Sequence, residues 1–183
     1  MKRTCSYIIL IVALSVFIPQ KVSAQMIAVK TDVVKDLLMT PSLGVDLVVG
    51  ERTTLGAEVA FNNQPWKQDI KLVSVMPEFR FWFNGRPFTR QYVGLVGNFS
   101  IYDVAFEHVY NGDALGLGLS FGHAWTLTKR ISIDFSGSVG VIGYKQMYHK
   151  KDELLEGNGI VANSRGHMLM PIKLGVSLVY VIK

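Results

Sequence analysis

The sequence predicts an all-β fold, an antiparallel up-and-down β-barrel of about eight strands and of the outer-membrane type. Three observations predict it. Apolar residues alternate with small or polar ones over segments of about ten residues, the period of a strand. Turn-forming clusters separate these segments. Beyond the first hairpin, short and long connections take turns along the chain, as in a barrel with one plain rim and one elaborate rim.

Ahead of the strands stands a different kind of segment. A basic start, "MKRT", leads into the apolar run Tyr7–Ile18 and then "VSA" before Gln25. This is the pattern of a secretory signal peptide cut after Ala24, leaving residues 25–183 as one β-barrel domain. The run is too short to span a bilayer comfortably. Its removal takes Lys2, Arg3 and Lys21 and no acid, so the formal net charge falls from +5 to +2. A nucleic-acid partner is therefore not indicated. Cys5 leaves with it, so the exported chain relies on neither disulfides nor thiols. Because Cys5 precedes the apolar run, a lipoprotein anchor is not indicated either.

Each strand follows from its residues. Met26–Val34 carries Lys30 and Asp32 and leads through "DLLMTP" to the second segment. In Ser42–Val49, Leu43, Val45, Leu47 and Val49 oppose Gly44 and Asp46, and "GERT" makes a tight turn. Thr53–Asn62 carries Glu58 and ends at the larger connection "NNQPWKQDI". Lys71–Phe83 places Val73, Val75, Phe79, Phe81 and Phe83 on one face. Ser74, Met76, Glu78, Arg80 and Trp82 take the other, and "NGRPFT" turns the chain. Gln91–Tyr102 follows, then "AFEHVYNGD". In Ala114–Trp125, Leu115, Leu117, Leu119 and Phe121 oppose glycine and serine, before the turn "TLTKR". Ile131–Tyr144 sets Ile131, Ile133, Phe135, Val139 and Val141 against Ser132, Asp134, Ser136 and Ser138. After the long "KQMYHKKDELLEGNGIVANSRG", Met168–Val181 sets Ile172, Leu174, Val176, Leu178 and Tyr180 against Lys173, Gly175 and Ser177. "KDLLMT" and "KDELLEG" allow a helical turn each, and no longer helix competes. Pro77 and Pro171 interrupt strands, and a bulge near the outer rim is the expected remedy.

A sorted strand set fits two barrels. A soluble carrier turns its apolar face inward, whereas a membrane barrel turns it toward lipid. The other face decides, being mostly glycine and serine with isolated charges, which suits a crowded lumen better than a solvated surface. Arg80 or Lys173 facing lipid near mid-membrane would cost about 2–4 kcal/mol each. The reading therefore places Lys30, Asp32, Asp46, Glu58, Glu78, Arg80, Asp134 and Lys173 inside, as a structural network of paired charges. Phe81, Trp82, Phe83, Phe121, Trp125 and Tyr180 mark one girdle, and Phe61, Trp66, Phe99 and Tyr144 the other.

Catalytic, metal and cofactor signatures are not found. His108, His123, His149 and His167 stand apart from any serine on a common face, so no nucleophile has its base within reach. No zinc-type spacing and no phosphate-binding loop occurs. The expected partner is outer-membrane lipid, with a protein or anionic sugar headgroups at the largest loop as a further one. The candidate contact segment is the loop 145–166, with Tyr148, His149, Lys150, Lys151, Asp152, Glu153 and Arg165. A soluble periplasmic barrel carrying an apolar ligand is the alternative reading, and an outer-membrane lipid-modifying enzyme a further one.

The stretches "VKTDVVKDLLMTPSLGVDLVVGERTTLGAEVAFN", "VMPEFRFWF" and "GLSFGHAWTLTKRISIDFSGSVGVIGY" resemble the domain-of-unknown-function 3575 family, a group of exported Bacteroidetes proteins. "TPSLGV", "PEFRFWF" and "W-x-L-x-K-R" are the most specific points. The resemblance implies an outer-membrane β-barrel and an association with surface or fimbrial assembly, and it implies no catalytic residues. The end "YVIK" departs from the terminal aromatic usual in such barrels, with Tyr180 the nearest substitute.

Overall fold

The computed structural model describes residues 26–63, 69–105, 108–150 and 164–182. The expected signal segment lies outside the described residues. So do Trp66, the candidate loop residues Lys151, Asp152 and Glu153, and the side chains of His108, Tyr148, His149 and Lys150.

The strands are β1 (Ile27–Asp32), β2 (Ser42–Gly50), β3 (Thr53–Asn63), β4 (Asp69–Trp82), β5 (Arg90–Ala105), β6 (His108–Thr126), β7 (Ile131–Lys150) and β8 (Ser164–Val181), with one short helix, α1 (Val33–Leu37). Each strand pairs antiparallel with its sequence neighbours, and β8 closes onto β1. The order is that of an up-and-down barrel, which leaves no edge at the closed end. Closure requires a stagger, and the register shows it. From Asp46, pairing runs one way through Ala28 to Val181. The other way it passes Gly56, Glu78, Val96, Gly118 and Gly140 and reaches Met170, well up the same strand. Strands so offset are tilted to the barrel axis.

The wall is uneven at the long-connection end. β1 has 6 residues and β7 has 20. β1 meets β8 from Ser177 to Val181, and beyond that point α1 packs beside β8. Asp32 starts this helix. Its carboxylate accepts from the backbone N–H of Val34 and Lys35, as an N-cap should.

Side chains alternate in and out with the expected period, apart from a register shift between Val48 and Gly50 beside the β2–β3 turn and one within β7–β8. A bulge shifts the register where Ser138 faces Lys173 and Val139 faces Pro171. Ile172 is the extra residue. Its Cδ1 lies in the lumen, where a side chain at Gly118 or Gly140 would otherwise stand, so the expected outward placement of Ile172 is corrected. Pro171 thus sits at a bulge, but Pro77 does not. Pro77 keeps register with Ala57 on β3, while its pairing to β5 is interrupted opposite Gly97. Both prolines lie well inside their strands rather than at the rim.

Four strands outrun their sequence-based limits. β6 and β7 pair up to His108 and Lys150, and β8 begins at Ser164. Both ends of the loop expected at 145–166 are therefore ladder: Tyr148, His149 and Lys150 belong to β7 and Arg165 to β8, and 151–163 lie outside the described residues.

Candidate functional site

The inward face of the barrel is polar and charged. Lys30, Asp46, Glu58, Glu78, Arg80, Asp134 and Lys173 are all buried there. Small residues on adjacent strands make the room. A Cβ on Gly56 would stand 1.7 Å from an Asp46 oxygen, and one on Gly44 would stand 2.7 Å from Lys30 Cε. Glycine at these two positions is a spatial requirement of the charges beside them.

Arg80 is the centre of the network. Its Nη1 donates to Asp134 Oδ2 at 2.9 Å and its Nη2 to Glu78 Oε2 at 2.6 Å, with Asp46 Oδ2 at 3.7 Å. Its guanidinium lies 4.6 Å from the Tyr92 ring centroid, a cation–π distance. The Tyr92 hydroxyl donates to the same Asp134 oxygen at 3.2 Å. Lys30 Nζ donates to Asp46 Oδ1 at 2.8 Å. Higher in the lumen Lys173 donates to Glu58 Oε2 at 2.5 Å, and Lys35 of α1 binds the other Glu58 oxygen. Charges held this way satisfy one another, and breaking a pair leaves a costly remainder.

Asp32, of the expected network, and Lys35, outside it, behave differently from the sequence reading. Asp32 is buried but makes no ion pair among the described residues, because its carboxylate is committed to the helix cap. Lys35 takes its place, and α1 is what brings it in. The signal was present: an aspartate before "VVKDL" is an N-cap pattern.

Beneath the charges the lumen is closed by apolar rings. Trp82, Phe88, Tyr92, Ala28, Ala124 and Val179 form one buried cluster. Trp82 stacks at 4.7 Å from Tyr92 and 5.7 Å from Phe88. Trp82 therefore belongs to the floor of the lumen and not to the outer girdle expected for it. Phe88 sits in the β4–β5 turn at φ 60°, a left-handed conformation that a bulky residue adopts only under constraint. That conformation folds its ring back under the barrel.

The outward face is the reverse. Exposed apolar side chains run round the ring, among them Leu43, Leu55, Phe79, Leu95, Leu117, Val139 and Leu174. Phe61, Phe99, Phe121, Trp125 and Tyr180 are exposed as well. Along β6 the outward apolar residues run from Leu115 to Phe121 and resume at Trp125, with His123 near the lower margin. At about 3.3 Å per residue and a tilt near 40°, that is a band about 25 Å tall. His123 and His167 are exposed on the outer face, and no cluster of three metal-ligating side chains exists among the described residues.

The site is thus a polar, ion-paired interior inside an apolar outer wall. A family model described as "Protein of unknown function (DUF3575)" matches residues 8–182. The chain belongs to this family. No curated protein and no solved structure matches it. Within this DUF3575 chain, "PEFRFWF" supplies Glu78, Arg80 and Trp82 to the lumen and Phe79, Phe81 and Phe83 to the outer wall. The segment "TPSLGV" leads from α1 into β2, where Ser42 N donates to Asp36 and holds the helix in place.

Proposed function

We propose that this protein is a small outer-membrane β-barrel, exported by a cleaved signal segment, with a structural or surface-interaction role. The observation that carries the reading is the inversion of its two faces. A soluble carrier keeps its apolar face inside, whereas this ring carries ion pairs inside and an apolar band outside. The band matches the roughly 25 Å apolar height of known membrane barrels. With the tight turns at the periplasmic rim, the elaborate end faces outward and is the surface open to partners. A lumen filled by Arg80, its acids and the aromatic floor gives no path for solute, which favours an anchoring role over transport. Within the family this makes a surface-assembly or anchoring partner the natural context.

The test is extraction. Membranes from expressing cells, washed with alkaline carbonate or urea, should retain the protein, and it should run faster on gels unheated than boiled. Release as a monodisperse soluble protein would overturn the reading.

A further inference from the structure

The outer wall is not evenly filled. Between β4 and β8 runs a groove whose floor falls at Gly97 and Gly143, outward positions that carry no side chain. Leu95, Phe99, Leu115, Leu117 and Val141 form its sides. Its upper end is crowned by Lys145, Arg165 and His167, with Asp113 at the margin. The crown stands where the outward face changes character. Leu115 gives way to Asp113 along β6, Val141 to Lys145 along β7, and Leu169 to His167 and Arg165 along β8.

Charges in that row alone would mark only the edge of the apolar band. The pairing is what distinguishes this place. Further round the same row, Lys71 on β4 faces Asp103 on β5, opposite charges in register. Lys145 faces Arg165, like charges directly across the β7–β8 pair. Such a pair is destabilising by itself. Asp113 is the register partner of Lys145 on its other side, yet no ion pair joins Lys145, Arg165 or His167 to a carboxylate among the described residues. Two cations held together at the head of an apolar groove are complementary to one kind of ligand, an anion with a hydrocarbon tail.

We propose that this groove seats an acyl chain of a phosphate-bearing lipid of the outer leaflet, with the phosphate held by Lys145 and Arg165 and flanked by His167. The proposal rests on the membrane reading above, since the band's upper edge is then the outer headgroup level. The lysine and arginine supply charge-assisted hydrogen bonds to phosphate oxygens. The uncovered position at Gly143 gives the chain a track along the wall, which Pro77 and Phe99 border at Gly97. Occupancy relieves the Lys145–Arg165 repulsion, so the lipid also steadies the tall β7–β8 edge.

The experiment uses the full exported chain in phosphatidylcholine nanodiscs, with its heat-modifiable gel shift verified first. Loss of that shift, or release from the disc, refutes the membrane reading itself. With the shift intact, native mass spectrometry measures retention of phosphatidic acid, diacylglycerol of the same chains, and inorganic phosphate as competitor. Phosphatidic acid should be retained at least about tenfold over diacylglycerol, the scale of losing charge-assisted bonds. Lys145→Gln/Arg165→Gln should abolish that preference while keeping the gel shift. Gly143→Leu has open space for its side chain, the nearest atoms to a Cβ there lying at 3.8 and 3.9 Å, so it should fold and weaken retention by filling the track. Equal retention of the two lipids, or an unchanged preference in the double variant, overturns the proposal. Full displacement by millimolar inorganic phosphate would also overturn it, reducing the crown to an anion site without an acyl seat.

Discussion

Arg80 shows how one residue can hold a barrel shut. It is one cation facing three acids, at 2.6, 2.9 and 3.7 Å, and its planar fork serves two of them at once. Arg80→Leu leaves Glu78, Asp134 and Asp46 with Lys30 as their near cation. The loss should be about 3–5 kcal/mol, the scale of breaking a buried pair from one side. A urea titration of the fast-migrating folded form measures it. Arg80→Lys should lose less, because the charge remains and only the second hydrogen bond goes. A leucine variant as stable as the parent would mean that the network carries no net stabilisation. Arg80 was legible in the sequence because a charge between phenylalanines has only one tolerable side. Tyr92 was not, since aromatic content alone suits an outer girdle as well as a lumen, and only the ring of partners around Asp134 distinguishes them.

At the scale of elements, alternation revealed which way side chains point but not where strands stop. The segments Ala114–Trp125 and Ile131–Tyr144 end where the apolar band ends, and the ladder continues past it through Tyr110–Tyr148 and Val109–His149. Beyond the band both faces meet polar surroundings, so hydrophobicity loses its period while the hydrogen bonds persist. Ile172 is a related case: Pro171 signals a bulge, but alternation does not tell which neighbouring residue the bulge turns inward. These limits redraw the boundary of the candidate contact segment. Replacing 151–163 by a short Gly/Ser link should leave insertion and the gel shift intact, because the ladder ends at Lys150 and resumes at Ser164. Extending the cut back to Met147 removes pairs with β6 and should lower the urea midpoint. Any surface partner captured by crosslinking to this segment should be lost already with the smaller cut. Unchanged capture after that cut would move the contact site to the barrel wall.

For the whole molecule, the ring's antiparallel order ties every connection to one of two ends. The turns after β2, β4 and β6 share an end with both chain termini, and α1 shares the other end with the connections after β3, β5 and β7. The floor of Trp82, Phe88 and Tyr92 lies at the first end, so the barrel is closed on the side read as periplasmic. Residues 25–183 contain no cysteine, which makes placement by labelling direct. Arg86→Cys lies in the exposed β4–β5 turn, and Glu153→Cys lies in the connection between β7 and β8. A thiol reagent that cannot cross the outer membrane should modify residue 153 in intact cells and residue 86 only after permeabilisation. Arg86 takes no part in the lumen ion pairs of the described residues, and both variants should keep the parent's gel shift, which is checked first. Labelling of residue 86 in intact cells, with residue 153 protected, would invert the orientation. It would turn the apolar floor toward the outside and leave the crown of Lys145 and Arg165 at the inner leaflet.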